Sequence, residues 1–429
     1  MIDRRGSISL RAALACFLIF AAHQAAQAGS LTTIHTFTGS PVDGAGPTGV
    51  VIVPSGVLYG TTRLGGNSSC YDCGTVFSLT PPATQGGDWT ESVYSFSFQS
   101  LGAGPNGIII GPVGALLYGT TTSGGTCGNG NVFVVKAPSP NKSWGESSLF
   151  SFCDPNLFPT NPPAIGPGGV LYGTLAEGSG SVSSGSVFSL TPPASPVFSW
   201  TENVLYTFTG EGDGQEPNGV AIDVSGALYG TTRVGGVSIR TVGTLYSLTP
   251  PSVPGGAWTK TILHNFPSSK GDGGYPASGV LIGTDGVLYG VTPVGGQPGC
   301  KQQGCGIVYS LVPPGSTGSG TYTIIHAFLG WKGGDGGTPS GGLVAHNGVL
   351  YGVTTYGGSA ACGSRPADPG CGTIYSLTPP ATSGGAWTET VLYSFTGGND
   401  GFGPLGQLAI DRNGVIYGVT ATTVFSFTP

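Results

Sequence analysis

The sequence predicts an all-β protein made of similar consecutive units, and three observations support this prediction. A Leu/Ile-Tyr-Gly triplet recurs seven times in 429 residues, at a mean spacing of about 60 residues. Glycine and proline are abundant, at 80 and 34 residues, and the apolar segments between them are short. No segment shows the apolar period of a helix. The triplet tyrosines are Tyr59, Tyr118, Tyr172, Tyr229, Tyr289, Tyr351 and Tyr417.

Four segments recur in each unit, and each has the length and composition of a β-strand. The first ends in a glycine turn, as in residues 219–226, and the second carries the Leu/Ile-Tyr-Gly triplet. The third follows the pattern of residues 74–82, Gly-Thr-Val-Phe-Ser-Leu-Thr-Pro-Pro. The fourth places an aromatic residue or histidine two positions before phenylalanine, as in Tyr94 and Phe96. Four short strands in each of seven units predict a seven-bladed β-propeller of four-stranded antiparallel blades.

The two ends of the repeat region predict how the ring closes. Residues 32–37 form a fourth-type segment without the three that should precede it, and residues 423–429 form a third-type segment without a fourth. The two fragments together make one complete unit. We therefore expect the N-terminal strand to pair with the C-terminal blade, since an open array of repeats would need capping units instead.

Residues 1–28 have the features of a signal peptide: basic residues at Arg4, Arg5 and Arg11, an apolar stretch over 12–22, and Ala-Gln-Ala at 26–28. Residues 29–429 then form a single domain, which we expect to be a secreted or periplasmic monomer without membrane insertion. The chain has 14 basic and 20 acidic residues, which argues against nucleic acid as a partner.

The repeat is similar to the Gloeo/Verruco (GloVer) tandem repeat of secreted bacterial proteins. The similarity rests on Leu-Tyr-Gly-Thr-Thr, on Gly-Thr-Val-Phe-Ser-Leu-Thr-Pro and on Leu-Tyr-Ser-Phe-Thr-Gly, and it covers nearly all of the chain after residue 28. The resemblance implies a propeller-like repeat protein outside the cytoplasm. It implies no shared catalytic residues. Some members carry cell-surface anchors, whereas this sequence stops at its last repeat, so we expect it to be free rather than anchored.

Eight cysteines follow the leader, and an even number in an exported chain favours disulfides. Three pairs each fall between the second and third strands of one unit, and a fourth pair joins two loops on one face. The alternative is a redox or zinc motif at residues 70–73, but the sequence shows neither a helix N-terminus nor further ligands nearby. The predicted pairs are Cys70 with Cys73, Cys127 with Cys153, Cys300 with Cys305, and Cys362 with Cys371.

Most residues suited to chemistry fall at repeated positions, so the sequence predicts no catalytic residue, metal ligand or cofactor. We expect the histidines at the fourth-strand aromatic position to be packing residues, namely His35, His264 and His326. We expect the glutamates that follow Trp-Thr to be solvated, namely Glu91, Glu202 and Glu389. Aspartates before glycine are expected to shape turns and to have no near neighbours, with calcium binding as the alternative. They are Asp43, Asp213, Asp272, Asp335 and Asp400.

Function should lie where the units differ, because variable loops on a rigid frame carry binding sites. The connections from each fourth strand to the next unit vary most. They supply the candidate ligand-binding residues Trp331, Lys332, Tyr275, Phe158, Phe402 and Glu216. We expect an exported scaffold that binds a glycan or a protein through one loop face, although each aromatic side chain could instead fill a gap between loops. The alternative is a lyase or hydrolase acting on an extracellular polymer, with acids such as Asp154, Glu177 or Glu216 at the channel mouth.

Overall fold

The computed structural model describes most of the repeat region, while the expected signal peptide, residues 1–28, lies outside the described residues. The described residues are 29–41, 43–66, 70, 72–84, 86–112, 116–138, 143–177, 184–195, 199–210, 212–236, 241–253, 255–267, 271–296, 300, 304–314, 320–330, 334–358, 362, 370–382 and 384–429. Within these ranges, no helix has the length and apolar character needed to cross a membrane.

The described residues form strands β1 to β29 and a single 3-10 turn. The first group is β1 (Ser30–Thr36), β2 (Gly44–Ile52), β3 (Leu58–Gly65), β4 (Thr75–Thr80) and β5 (Thr90–Ser95). The second is β6 (Ala103–Ile110), β7 (Leu116–Ser123), β8 (Asn131–Lys136) and β9 (Gly145–Ser151). The third is β10 (Leu157–Pro159), β11 (Ala164–Ile165), the 3-10 turn (Pro167–Gly169), β12 (Leu171–Glu177), β13 (Ser186–Thr191) and β14 (Thr201–Thr207).

The remaining strands continue the same succession. They begin with β15 (Gln215–Ile222), β16 (Leu228–Val234), β17 (Thr241–Thr249) and β18 (Thr259–Pro267). Next come β19 (Leu281–Ile282), β20 (Leu288–Thr292), β21 (Ile307–Val312) and β22 (Thr321–Ala327). Then follow β23 (Gly337–His346), β24 (Val349–Tyr356), β25 (Thr373–Thr378) and β26 (Thr388–Ser394). The chain ends with β27 (Leu405–Ile410), β28 (Ile416–Val419) and β29 (Thr423–Thr428).

These strands form five separate antiparallel sheets and one eight-stranded sheet. The separate sheets are β6–β9, β10–β14, β15–β18, β19–β22 and β23–β26. The eight-stranded sheet has the order β1-β29-β28-β27-β2-β3-β4-β5. We call β1 with β27–β29 its C-terminal half and β2–β5 its N-terminal half. A single parallel pair, Gly49 with Gln407, joins the two halves.

The all-β class and the four-stranded antiparallel blades of a β-propeller are confirmed. The expected seven separate sheets are not observed. The strands β2 and β27 approach each other closely enough to pair through their backbones, and this pairing merges two groups of four strands into one sheet. A side chain on Gly49 would overlap the backbone of Gln407, so glycine permits this approach. The N-terminal strand β1 pairs antiparallel with β29, from Ser30 opposite Thr428 to Thr36 opposite Thr423.

The recurrent triplet glycine is explained by an aromatic ring that covers it. A Cβ on Gly60 would overlap the ring of Phe77 on the next strand, and the same holds in every unit. The covering rings are Phe77, Phe133, Phe188, Tyr246, Tyr309, Tyr375 and Phe425, all fully buried. Each ring also contacts the fourth-strand phenylalanine of the preceding unit, at centroid distances of 5.0–5.4 Å. The core therefore consists of apolar layers between neighbouring units, and no unit buries its aromatic residues alone.

The structure joins the eight cysteines in the four pairs that their spacing predicts: Cys70 with Cys73, Cys127 with Cys153, Cys300 with Cys305, and Cys362 with Cys371. Their Cα atoms are 5.0–5.6 Å apart, within the usual range for a disulfide. Three pairs close short loops, while Cys127 and Cys153 connect two loops 26 residues apart.

Candidate functional site

The first strands of the units surround a central channel with a volume of about 720 Å³. Its wall is formed by backbone, small residues and aliphatic side chains from every unit. Among the described residues that line it, Arg63 is the only ionisable one. The channel wall is therefore nearly neutral.

Hydrogen bonds between units fix this wall. Asn106 Nδ2 donates to the carbonyl of Pro159 at 2.8 Å, and Asn218 Nδ2 donates to the carbonyl of Pro276 at 2.7 Å. The Ser340 hydroxyl donates to the carbonyl of Pro404 at 3.0 Å, in the same way. In each case the side chain of the residue after the first-strand proline donates a hydrogen bond to the carbonyl of the corresponding proline in the next unit. These bonds give the channel a fixed diameter and set the position of the residue before each proline.

The residue before that proline lies at one mouth of the channel, and its backbone is unusual. Glycine occupies the position in three units, with positive φ at Gly46, Gly104 and Gly403. Three non-glycine residues adopt the same conformation: Glu216 at φ 52°, Tyr275 at φ 54° and Thr338 at φ 56°. Positive φ costs a non-glycine residue roughly 1–3 kcal/mol, and such residues cluster at functional sites. The backbone amides of these three residues donate hydrogen bonds to carbonyls of the preceding unit, namely those of Ser184, Val242 and Cys305.

Phe158 occupies the equivalent position in the third group of strands. It directly precedes Pro159 and pairs with Ala176, just as Glu216 lies opposite Arg233 in the fourth group. Three of the six candidate residues, Phe158, Glu216 and Tyr275, thus share one structural position around the mouth. The sequence did not show this, because the intervening loops differ in length.

A second cavity of about 310 Å³ opens beside the channel at this mouth. Arg63 and Asn106 line both cavities. The side of the second cavity away from the channel is formed by Phe158, Thr122 and Thr160, together with Ala103, Gly104 and Ser123. Arg63 is exposed, and no carboxylate of the described residues forms an ion pair with it. An aromatic ring, hydroxyl groups and an unpaired guanidinium therefore border one recess, which we call the Arg63 recess.

The other candidate residues lie elsewhere. Glu216 forms an exposed ion pair with Arg233, with 2.9 Å between Oε2 and Nη1. Phe402 is half-buried against the apolar cluster that includes Phe395 and Phe425. Trp331 and Lys332 lie outside the described residues.

The acids considered for catalysis do not line the channel among the described residues. Asp154 is exposed and its carboxylate accepts a hydrogen bond from the amide of Asn156 at 3.1 Å, as in a turn. Glu177 ends β12, and its side chain is outside the described part of the structure. Glu216 is paired with Arg233.

Polar and ionisable side chains, by contrast, cluster at the outer edge of the units. Each fourth-strand histidine or tyrosine that precedes an Asp-Gly connection lies beside that aspartate. Tyr206 donates to Asp213 at 2.9 Å, and His264 Nε2 lies 3.0 Å from Asp272 Oδ2. The same contact recurs between His35 and Asp43, His326 and Asp335, and Tyr393 and Asp400. The expectation that these aspartates have no near neighbours was wrong, because the turn folds each carboxylate back onto its own fourth strand.

At four of these five contacts the neighbouring unit adds a third side chain, from the second residue of its fourth strand. Lys260 contacts Asp213, and the Tyr322 hydroxyl donates to Asp272 at 2.7 Å. Lys260 Nζ also lies 4.9 Å from the centroid of the Phe208 ring. Its side chain is only 5% exposed, so this ammonium is held in a largely buried, anionic and aromatic pocket.

Beside His35 and beside His326, a glutamate occupies the position of Lys260. Glu91 Oε1 lies 3.3 Å from His35 Nε2, and Glu389 faces His326 and Asp335. Burial raises the pKa of Glu389 to about 7, and the charge of Asp335 adds to this while His326 opposes it. Oε1 of both glutamates is buried without a hydrogen-bond partner. The expectation that Glu91 and Glu389 are solvated was therefore wrong, because the adjacent unit covers them.

These edge contacts could not be read from the sequence, since their third member comes from the following unit. One signal was present. The residue after the fourth-strand threonine is Glu in several units but Lys260 and Tyr322 in two others. A repeat position that changes from an anion to a cation indicates that its surroundings differ between units. The sequence also contained a pattern that could have drawn attention to Arg63, because the motif Leu-Tyr-Gly-Thr-Thr-Arg occurs twice, ending at Arg63 and at Arg233.

Comparison with solved structures supports the fold. A streptogramin B lyase structure aligns with a TM-score of 0.54 and 15% identity, over 93% of this chain and 97% of that one. PorZ, a surface component of the type-IX secretion system of Porphyromonas gingivalis, aligns with a TM-score of 0.53 and 14% identity over 88% of this chain. The alignment covers 46% of the PorZ chain. At these identities the likeness is one of fold alone.

No curated protein matches the sequence. The profile of the Gloeobacter/Verrucomicrobia repeat does match it, over residues 158–426. This match covers more than half of the chain and includes the Leu/Ile-Tyr-Gly units from the third to the seventh. The protein belongs to the Gloeobacter/Verrucomicrobia repeat family.

Proposed function

We propose that this protein is a binding scaffold outside the cytoplasm that takes an acidic glycan in the Arg63 recess. The observation that carries the proposal is an exposed arginine, without a carboxylate partner among the described residues, at the border of two adjoining cavities. An arginine guanidinium binds a carboxylate through two parallel hydrogen bonds, which favours anionic ligands over neutral ones.

The other groups around the recess suit a sugar. The ring of Phe158 offers an apolar surface, and the hydroxyls of Thr122 and Thr160 supply polar contacts. Thr122 donates to Asn106 Oδ1 at 3.0 Å, which orients both groups. A volume of about 310 Å³ lies at the lower end of the range of roughly 300–1,000 Å³ for ligand pockets. The recess is thus of a size for one or two sugar rings, and we propose a uronate-containing glycan.

The overall form that we propose is a seven-bladed propeller in which each half of the eight-stranded sheet is one blade. The seven aromatic contacts between neighbouring units support this count, because one of them, Phe37 with Phe77, joins the two halves. A location outside the cytoplasm is supported by four disulfides, which persist in oxidising compartments.

Binding accounts for the described residues better than catalysis does. General acid–base chemistry needs two or more titratable groups that converge on one pocket. In the described residues, the channel and the recess contain Arg63 and no carboxylate or histidine. The polymer lyase or hydrolase alternative therefore receives no support from this part of the channel.

The test compares binding of trigalacturonate and of neutral maltotriose by isothermal titration calorimetry. We expect trigalacturonate to bind preferentially, and Arg63→Ala to weaken it by about ten- to a hundredfold, as for loss of a charged hydrogen bond of roughly 1.5–3 kcal/mol. Phe158→Ala should weaken binding as well.

Arg233→Ala is the matched control, because that guanidinium is already paired with Glu216. It should change the affinity by less than about threefold, as expected for an exposed ion pair. Equal binding of both sugars, or equal losses in the two arginine variants, would refute the proposed site. Absence of sugar binding would turn the search to protein partners.

A further inference from the structure

Three side chains from separate segments meet at the junction of the two halves of the eight-stranded sheet. His35 lies on β1, Asp43 directly precedes β2, and Glu91 lies on β5. His35 Nε2 is 3.5 Å from Asp43 Oδ2 and 3.3 Å from Glu91 Oε1. One ligand atom from each residue lies within 4.8 Å of the others, a combination that occurs once in the described part of the chain.

These contacts are not hydrogen bonds. His35 Nε2 and Glu91 Oε1 are both buried and have no hydrogen-bond partner. Unsatisfied buried polar atoms are costly, and a cation held between these side chains would satisfy both atoms. Ligand atoms around a tetrahedral zinc ion, at bond lengths of about 2.0–2.1 Å, are separated by about 3.4 Å. The two measured separations agree with that value.

An equivalent position elsewhere in the molecule already holds a cation. Lys260 occupies the position of Glu91, and its ammonium contacts Asp213, which is the counterpart of Asp43. The frame between two units therefore accommodates a positive charge beside this aspartate. At the His35 junction the lysine is replaced by a second carboxylate, which leaves the same space bordered by ligands rather than filled by an ammonium.

The other equivalent positions lack this arrangement. At His264, the Tyr322 ring stacks on the imidazole with 3.7 Å between centroids, and its hydroxyl satisfies Asp272. At His326, Nε2 lies 3.3 Å from Asp335 Oδ2. With Glu389, however, these residues do not form a group of three ligand atoms within 4.8 Å of one another, as the residues at His35 do. The His35 junction is thus the one described position where all three ligand atoms converge.

We propose that His35, Asp43 and Glu91 bind a divalent transition metal ion of the zinc class. One imidazole and two carboxylates suit zinc, cobalt or nickel, whereas calcium prefers six to eight oxygen ligands. Three protein ligands leave the fourth position of a tetrahedral ion for a water molecule. Asp43 is held in place because Oδ2 accepts the Thr38 amide at 2.7 Å and Oδ1 accepts the Gly44 amide at 2.6 Å.

The consequence is a metal link between the two halves of the eight-stranded sheet. His35 belongs to the C-terminal half of the eight-stranded sheet and Glu91 to the N-terminal half, and the described backbone pairing between these halves is the single pair of Gly49 with Gln407. A bound ion would add a strong link across this junction. It would therefore stabilise the folded ring as well as occupy a site.

The experiment uses the purified chain with its disulfides intact, stripped of metal with a chelator and dialysed. Titration with Co²⁺ should give one equivalent of binding with the visible absorption of a tetrahedral complex, and Zn²⁺ should displace it and raise Tm. His35→Tyr and Glu91→Lys should each lose this binding step and the rise in Tm. Both changes install a residue that another unit has at the same position, Tyr206 and Lys260 respectively, so both variants should fold.

The matched control is His264→Tyr, which alters the corresponding histidine of another unit and should bind Co²⁺ as the parent chain does. Far-ultraviolet circular dichroism in chelator verifies that each variant is folded. The proposal is overturned if the parent chain binds no Co²⁺ with a tetrahedral spectrum, or if His35→Tyr and Glu91→Lys bind it unchanged while folded.

Discussion

The channel and the outer edge are built from the same repeated units, yet they hold opposite chemistry. The described channel wall is nearly neutral and contains one ionisable residue, the exposed Arg63. At the outer edge, carboxylates, histidines and the buried Lys260 meet between neighbouring units. The backbone frame is the same throughout, so the difference lies in the side chains: ionisable groups of neighbouring units meet at the outer edge and not along the described channel wall.

Removal of the buried cation at the edge should have the largest effect. Lys260→Met leaves the carboxylate of Asp213 half-buried beside aromatic rings without its ammonium. Breaking a buried ion pair costs about 3–5 kcal/mol. We expect a loss of about 3 kcal/mol in the free energy of unfolding, measured by urea denaturation.

The double variant Lys260→Met with Asp213→Asn provides the control for that prediction. It removes both charges and should recover about half of the loss, because no uncompensated carboxylate remains. If Lys260→Met alone costs less than about 1 kcal/mol, the edge is not an electrostatically compensated site.

A hydrogen bond between two units beside the channel should matter next. Asn218→Ala removes the donor to the carbonyl of Pro276 and leaves that acceptor unsatisfied between two units. The expected cost is about 2 kcal/mol in the same assay. Ala277 occupies the corresponding position of the next unit, so alanine is compatible with the backbone there. A neutral result would show that the wall does not depend on these bonds.

Glu389 should give a smaller, pH-dependent effect. Its pKa in the folded protein is raised to about 7, so the folded state binds more protons than the unfolded state between about pH 4.5 and 7. The folded state therefore loses stability as pH rises through this window. Glu389→Gln abolishes this loss. After allowance for solvent screening, we expect the free energy of unfolding of the variant to exceed that of the parent by about 1 kcal/mol at pH 8. At pH 5 the two values should differ little.

Unfolding free energies at pH 5 and pH 8 measure this difference. Glu216→Gln, at the exposed ion pair with Arg233, is the comparison and should not show the same gain at high pH. A Glu389→Gln profile parallel to that of the parent would mean that the carboxylate is not perturbed.

The smallest effect on stability is expected at the channel mouth. Arg63→Ala removes an exposed side chain that has no ion-pair partner among the described residues, so the free energy of unfolding should change by less than about 0.5 kcal/mol. The same variant should lose ligand binding. Unfolding titrations of Arg63→Ala and Lys260→Met in parallel would separate a basic residue kept for binding from one kept for stability. A large loss of stability in Arg63→Ala would remove that distinction.

Much of the fold followed from the sequence because its signals are local and repeated. The triplet, its covering aromatic residue and the turn glycines recur in the same order within each unit, and the split of one unit between the chain ends predicted the pairing of β1 with β29. The link between Gly49 and Gln407 was not predictable, since it depends on a backbone approach between first strands of different units.

The candidate sites were predicted less well, for a related reason. Phe158, Glu216 and Tyr275 were selected for variability, and the structure adds that they share one position, directly before the first-strand proline of their units. His35 and Glu91 were each assigned to separate repeated positions. Their meeting depends on the angle between the two halves of the eight-stranded sheet, which no local sequence pattern encodes.

The proposed glycan site lies at the channel mouth rather than at the outer edge, and hydrogen–deuterium exchange with bound trigalacturonate tests this most directly. We predict that protection concentrates in the amides of residues 44–49, 103–108 and 157–164, which contribute to the lining of the Arg63 recess or of the adjoining channel. Protection confined to the outer strands β5, β14 and β18, with unchanged exchange at the mouth, would contradict the account.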